Sequence, residues 1–369
     1  MKPVIWVLTA GFGDGHNTAA RSIAAALSRQ SPAPEVAVRD LILQTHPLVG
    51  HVAMRAYAGI IVHAPWIWRR LYDSFATNAD HALRNPLLDP LKSSISTALK
   101  RERPSIIVCT FPLYPSLLEA LKQDGLPVPK VITVVTDSVS IHPTWRVGWS
   151  DLYLVADEES RTVLIKMGAA PERVQATGFP VSPDFTTPVE RIQSMAGRVL
   201  YLPSTSTKHV QSTLLALEPL VREGMELTIV PGRHRQRLHH VLRNFADRLE
   251  PLRRTTTLGW CDNIPHLLRE HDALICKAGG AMLHEVMAGC RPAVVDWIVP
   301  GQEEGNAQML LSVGGGALST SPAETAKQIQ HLLADDKREA LRISAAMQTH
   351  SKPDAALLAA NIARQLATS

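Results

Sequence analysis

Cysteine is scarce in this chain. There are four, Cys109, Cys261, Cys276 and Cys290, with no CxxC pair, and three sit in or beside apolar runs. That excludes a disulfide framework or a zinc ribbon and favours reduced, mostly buried thiols, as in a cytoplasmic protein. An excess of one charge is missing too. The 38 Lys and Arg against 34 Asp and Glu leave a net charge of +4, too little to imply nucleic acid as a partner. No apolar run reaches the roughly 18–20 residues needed to span a bilayer. The N-terminus opens directly into the strand-like Val4-Ile5-Trp6-Val7-Leu8, without the basic start and cleavage site of a signal peptide. The expectation is a protein that is soluble or rests on a membrane surface. No short-period repeat and no low-complexity tract stands out. What is present is 45% hydrophobic and 20% charged residues over 369 positions, enough for about two domains with real cores.

Short apolar runs alternate with helical patterns, the signature of parallel α/β units. In the first half, strands are expected at 4–9, 35–39, 105–109, 131–135 and 152–155, a helix at 16–30, and a long, mostly helical insertion at 46–102. In the second half, strands are expected at 198–202, 226–230, 255–258, 273–276 and 293–296. Helices there are expected at 208–222, 234–248, 263–270, 280–289, 303–313 and 323–334. The stretch Gly178–Pro188 carries three prolines after a strand-like run and reads as an interdomain linker. The expected domains are 1–185 and 190–350. The apolar spacing of 352–367 predicts a helix that returns, within 352–369, to the first domain. Two Rossmann-like domains of this kind are expected to face each other across a cleft at their strand C-terminal ends.

The first strand runs into Gly11-Phe12-Gly13-Asp14-Gly15-His16, and Asn17-Thr18 opens a helix. Glycines at Gly13 and Gly15 let backbone approach a ligand, and a helix N-terminus favours an anion. Asp40 follows the next strand, as a ribose-binding acid does in a dinucleotide fold. That alternative fails where the third glycine of GxGxxG would fall, because position 16 is histidine. His16 is expected to face the cleft. A helix N-terminus disfavours imidazolium, so a neutral His16 can accept a proton from a hydroxyl. The plainer role is to cap the helix or to bond a nearby carbonyl.

Val134-Val135-Thr136-Asp137 ends a strand and leads to His142-Pro143-Thr144-Trp145. Asp137 is placed to orient a base or an acceptor hydroxyl, or simply to form a turn. His142 and Trp145 either line an acceptor pocket or pack as loop residues. In the insertion, Trp66, Trp68, Arg69 and Arg70 interleave with apolar residues. Trp and Arg together suit an anionic membrane interface, although a core helix has the same periodicity.

Near the C-terminus, Ile275-Cys276-Lys277 ends a strand and Ala278-Gly279-Gly280 turns into a helix holding Glu285. Such a turn binds phosphate, and a carboxylate one and a half turns along accepts two hydrogen bonds from a ribose diol. The next strand end leads to Pro300-Gly301-Gln302-Glu303-Glu304-Gly305-Asn306, whose amide and acid suit sugar hydroxyls. A surface loop capping the helix at 303–313 is the alternative.

In these motifs the chain resembles the monogalactosyldiacylglycerol synthase and processive diacylglycerol glucosyltransferase family, related to the glycosyltransferase that acts on lipid I. The resemblance rests on Gly13-Asp14-Gly15-His16, Thr136-Asp137 with His142–Trp145, Gly178-Phe179-Pro180-Val181, Lys277–Gly280 with Glu285, and Pro300–Asn306, in that order. It implies a GT-B fold, UDP-galactose or UDP-glucose as donor, diacylglycerol as acceptor, and inversion at the anomeric carbon without a metal or cofactor. It implies His16 as base or acceptor-site residue and Glu285 on the uridine ribose. Gln302, Glu303 and Asn306 would contact sugar or diphosphate, and 57–72 would face acceptor and membrane. The implied location is the inner face of the cell membrane. Two motifs depart from the pattern. Where the family carries a glycine-rich loop, this chain has Pro203-Ser204-Thr205-Ser206-Thr207-Lys208, so Ser204 and Thr205 would bind phosphate instead. Where proline often follows the glycine, it has Gly279-Gly280-Ala281. A different acceptor, a UDP-sugar epimerase and a non-catalytic UDP-sugar-binding protein are the alternatives.

Overall fold

The computed structural model describes residues 2–45, 47, 50, 52, 56, 59–60, 88–138, 141–187, 197–261, 263–299 and 303–368. The chain divides into two compact units, Met1–Thr186 with Lys352–Ser369, and Thr187–Ser351.

Unit 1 holds strands β1 (Val4–Leu8), β2 (Glu35–Arg39), β3 (Ile106–Cys109), β4 (Lys130–Val134), β5 (Leu152–Val155) and β6 (Val174–Ala176). They form a parallel sheet in the order β2-β1-β3-β4-β5-β6. The helices that can be delimited among its described residues before unit 2 are α1 (Asp14–Ser28), α2 (Leu41–Thr45), α3 (Asp89–Glu102), α4 (Leu113–Gln123) and α5 (Glu158–Lys166). A parallel sheet needs cover on both faces, and the alternation within β1 shows how it is met. Ile5 and Val7 point into a core closed by α1 residues Ala20, Ile23 and Leu27. Trp6 and Leu8 point the other way, onto Leu91, Ile95 and Leu99 of α3 and Tyr114 and Leu117 of α4.

Unit 2 holds β7 (Arg198–Tyr201), β8 (Glu226–Ile229), β9 (Thr255–Thr257), β10 (Ala273–Lys277), β11 (Ala293–Trp297) and β12 (Gly316–Leu318). The parallel order is β12-β11-β10-β7-β8-β9. This is the dinucleotide-fold order, with the direction of winding reversing between β7 and β10. Its helices are α6 (Thr207–Glu223), α7 (Arg235–Leu249), α8 (Ile264–Glu270), α9 (Gly280–Gly289), α10 (Glu304–Ser312) and α11 (Pro322–Met347).

The last helix, α12 (Ala355–Thr368), belongs to unit 1. Ala356, Ala359, Ala360 and Ala363 are buried beside Ile5, Val7 and α1. Small side chains at that spacing let the helix lie close to its neighbours. The expected return of a C-terminal helix to the first domain is therefore seen within unit 1.

Several expectations need correction. The proline-rich stretch from Gly178 does hold the unit boundary, which follows Thr186, but its first part is packed, with Phe179 and Val181 3% and 1% exposed. Gly178 has φ +98°, and a Cβ there would stand 2.8 Å from the Ala355 Cβ. Pro180 and Pro183 are buried in this packed corner under the returning segment. The first helix starts at Asp14 rather than at position 16, with Gly13 as N-cap at φ 99°. The helix expected at 323–334 is followed by a second one, with non-helical backbone at Ala334–Lys337 between them. Helices α2, α4 and α5 and strands β6 and β12 are additional.

Candidate functional site

In unit 1 the winding reverses between β1 and β3, and open α/β sheets bind ligands at such a point. His16 sits there, in the first turn of α1. Its Nδ1 is 2.8 Å from the Thr110 carbonyl oxygen, just past β3, and 2.8 Å from Thr136 Oγ1. A carbonyl only accepts, so Nδ1 carries the proton and donates to Thr110. The neutral ring then has its lone pair at Nε2, the arrangement a general base requires. Thr110 Oγ1 in turn donates to the His16 carbonyl at 3.1 Å, closing a two-way link between the residues. Phe111 meets the ring edge-on at a centroid distance of 5.1 Å, and Trp145 lies at 5.8 Å. Burial lowers the His16 pKa, while the Asp137 carboxylate and the Thr110 carbonyl oppose that shift. The neutral form is favoured on balance.

Asp137 hydrogen-bonds to the loop beside His16 rather than to His16 itself. Its Oδ2 accepts from Trp145 Nε1 at 2.8 Å and from the His142 N–H at 3.1 Å. Trp145 is 2% exposed and packs with Val135, Ile141 and Tyr153. His142 Nδ1 accepts from Thr144 N at 3.3 Å and caps the short turn Pro143–Arg146. Asp137, His142 and Trp145 thus form one packed loop behind the His16 ring. Nothing lies within 4 Å of a Cβ built on Gly15, so the backbone there has open space beside it. Asp40 is explained structurally: its two oxygens accept from Gly11 N at 3.0 Å and Leu43 N at 2.9 Å.

In unit 2 the corresponding point is between β7 and β10. The turn after β10 is stapled to the segment around α10. Asn306 Nδ2 donates to the Ala278 carbonyl at 3.1 Å. A Cβ on Gly280 would stand 3.4 Å from that amide, so glycine permits the approach. Glu303 pairs with Lys277 and accepts from Val299 N at 3.0 Å. Glu285 is buried in the second turn of α9. Ser204 and Thr205 lie in the loop after β7, with both hydroxyl oxygens buried and unpartnered. Gln302, Trp66, Trp68, Arg69 and Arg70 lie outside the described residues.

The structure brings His16 together with Gly13, Gly15, Asp137, His142 and Trp145 in unit 1, and Gly279, Gly280, Glu303 and Asn306 with one another in unit 2. From the sequence, Thr110 and Phe111 around His16, and His209, Asp296 and Tyr201 in unit 2, carried no expectation, and Thr136 and Lys277 stood in motifs without a role of their own. Position at or just past the end of a buried strand is the one signal Thr110, Thr136 and Asp296 share. Among the described residues, no group of three or more His, Cys, Asp or Glu side chains is placed to hold a metal ion. No helix among them is long and apolar enough to cross a membrane.

Comparison with known proteins agrees with the motif reading. Residues 16–181 match the model of the monogalactosyldiacylglycerol (MGDG) synthase family. A processive diacylglycerol beta-glucosyltransferase of Bacillus cytotoxicus is 26% identical over 363 residues, covering 96% of this chain and 92% of the relative. Among solved structures, Acinetobacter baumannii MurG aligns with TM-score 0.59 at 13% identity, over 99% of this chain and 100% of that one. Anabaena HepE, in complex with UDP and glucose, aligns with TM-score 0.57 at 15% identity, over 99% of each chain. The fold is GT-B. The likeness to diacylglycerol glycosyltransferases extends along nearly the whole chain.

Proposed function

We propose that this chain is an inverting glycosyltransferase that moves a hexose, galactose or glucose, from a UDP-sugar to diacylglycerol. The observation that carries the reading is the tautomer imposed on His16. The Thr110 carbonyl holds the proton on Nδ1 and leaves Nε2 as acceptor, within the segment that matches the MGDG synthase family. The curated relative is named for glucosyl transfer to diacylglycerol and the family for galactosyl transfer, so the donor sugar is one of these two.

In this reading unit 1 takes the acceptor and unit 2 the donor. The acceptor hydroxyl oxygen forms a bond to the anomeric carbon as its proton passes to His16 Nε2. The bond from that carbon to the diphosphate oxygen breaks, and UDP leaves with the electron pair. Single displacement inverts the configuration. The leaving charge is held by N–H groups at the N-termini of α6 and α9, which supply the stabilisation a metal gives elsewhere. Glu285 takes the ribose diol, and Gln302, Glu303 and Asn306 take the sugar. The acceptor is a lipid, so the enzyme works at an anionic membrane surface, with Trp66, Trp68, Arg69 and Arg70 as its contact.

Incubation with UDP-galactose and UDP-glucose over diacylglycerol vesicles, followed by lipid mass spectrometry, tests the reading. A hexosyldiacylglycerol with one or both donors is expected. UDP binding without any product would leave a sugar-nucleotide-binding protein instead. Product on a soluble glycoside alone would change the acceptor.

A further inference from the structure

One cluster in unit 2 has no part in the roles assigned above. His209 lies in the first turn of α6, with Nε2 3.2 Å from Asp296 Oδ2 near the end of β11. The same carboxylate oxygen accepts the Tyr201 hydroxyl at 3.3 Å. The Asp296 side chain is 3% exposed and that of His209 15%. The Trp297 ring stands edge-on to the imidazole at 5.2 Å. A carboxylate buried this deeply needs hydrogen donors or a cation beside it, and His209 and Tyr201 supply the donors. The imidazole is thereby oriented through Nε2, and no described residue bonds its Nδ1.

A second observation lies in the loop just before. Ser204 Oγ and Thr205 Oγ1 are buried without a hydrogen-bond partner, and Thr205 is only 4% exposed. Ser206 caps α6 by accepting from the His209 N–H at 3.3 Å. The N–H groups of Thr207 and Lys208 belong to the first turn, which leaves them without helical partners. Two unpaired hydroxyls, first-turn N–H groups and an imidazole backed by a carboxylate share one requirement, an anion with several acceptor oxygens. They gather at the point where the sheet of unit 2 reverses its winding.

We propose that His209, held at Nε2 by Asp296, binds the diphosphate of the sugar-nucleotide donor as an imidazolium, both ring nitrogens protonated, through an Nδ1–H donated to a phosphate oxygen. The proposal rests on the UDP-sugar reading above and adds residues that reading does not include. Side-chain donors here do what bare N–H groups do in a glycine-rich loop. As the sugar departs, charge grows on the diphosphate and the Nδ1–H bond strengthens, so His209 favours departure without a covalent step of its own.

Calorimetry on the full chain with UDP and with uridine tests this. His209→Ala is expected to weaken UDP roughly 10- to 100-fold, the loss of a hydrogen bond to a charged group, and to leave uridine unchanged. His209→Gln, which keeps a neutral donor and much of the volume, is expected to recover part of the UDP affinity. Asp296→Asn is expected to weaken UDP but not uridine. Equal losses for UDP and uridine, or unchanged UDP affinity in a variant that melts like the wild type, would overturn the role of His209. A wild-type protein that binds no UDP would overturn the donor reading itself, and this proposal with it.

Discussion

The Trp145 indole N–H donates to Asp137 Oδ2 at 2.8 Å, and that bond sets the aromatic wall 5.8 Å from the His16 ring. Asp137 therefore acts on His16 in two ways, through the wall and through its charge. The charge opposes the effect of burial on the imidazole. Asp137→Asn keeps the size and one acceptor oxygen but removes the charge. The acid limb of the pH–rate profile is expected to move to lower pH in that variant. A limb that stays in place or moves up would contradict the electrostatic coupling.

His16→Ala removes the proposed base while leaving unit 2 untouched. General-base assistance is typically worth about 10²- to 10⁴-fold, and kcat is expected to fall by that much. UDP affinity, measured by calorimetry, is expected to be unchanged. Near-normal turnover would end the base assignment.

The lowered pKa of His16 also has a sign for stability. Its folded form resists protonation more than the unfolded chain does, because burial disfavours the charge. The contribution is intact above the ordinary imidazole range, near pH 6.5. It is lost as the pH falls through the folded value, since the unfolded state takes up the proton first. Urea titrations over that interval are expected to show a smaller loss in His16→Gln than in the wild type.

Gly178 and Gly168 have nearly the same backbone, φ +98° and +93°, but different surroundings. A Cβ on Gly168 would meet nothing within 4 Å, whereas one on Gly178 would meet Ala355 Cβ at 2.8 Å and Lys352 Cβ at 3.0 Å. Gly168→Ala carries backbone strain alone, about 1 kcal/mol. Gly178→Ala adds overpacking and is expected to cost about 2–4 kcal/mol in all. Chemical denaturation of the two variants side by side measures the difference.

Cys109 and Cys276 are buried, and burial pushes both thiols far above the usual range. Neither is expected to react with a disulfide reagent in the native protein. Partly exposed Cys261 is expected to label first, and all four in guanidinium. Native labelling of Cys109, located by mass spectrometry, would contradict the packing of β3.

The strands that carry the site were legible because they are buried on both faces. Ile106-Ile107-Val108-Cys109 and Ala293-Val294-Val295 announce themselves as apolar runs bounded by polar residues. The strands β6, Val174-Gln175-Ala176, and β12, Gly316-Ala317-Leu318, are three residues long and offer no such run. Their pairing is decided by their neighbours β5 and β11. His16 was legible from its glycine loop, but not the carbonyl that sets its tautomer, because Thr110 is 94 residues away. His209 and Asp296 are separated by 87 residues, and neither sits in a motif that names the other. The prolines from Gly178 onward marked the unit boundary after Thr186, but not the burial of Phe179 and Val181 just before it.

The placement of α12 bears on how the chain is made. On the ribosome, β1 and α1 emerge well before α12, and the face formed by Ile5 and Val7 lacks part of its cover until Ala356, Ala359, Ala360 and Ala363 have been synthesised. Unit 2 is one continuous segment and can close on itself beforehand. The order of completion is therefore the reverse of the order of synthesis. Unit 1 waits, with an exposed apolar surface, for α12, and that interval is when a nascent chain most needs a chaperone.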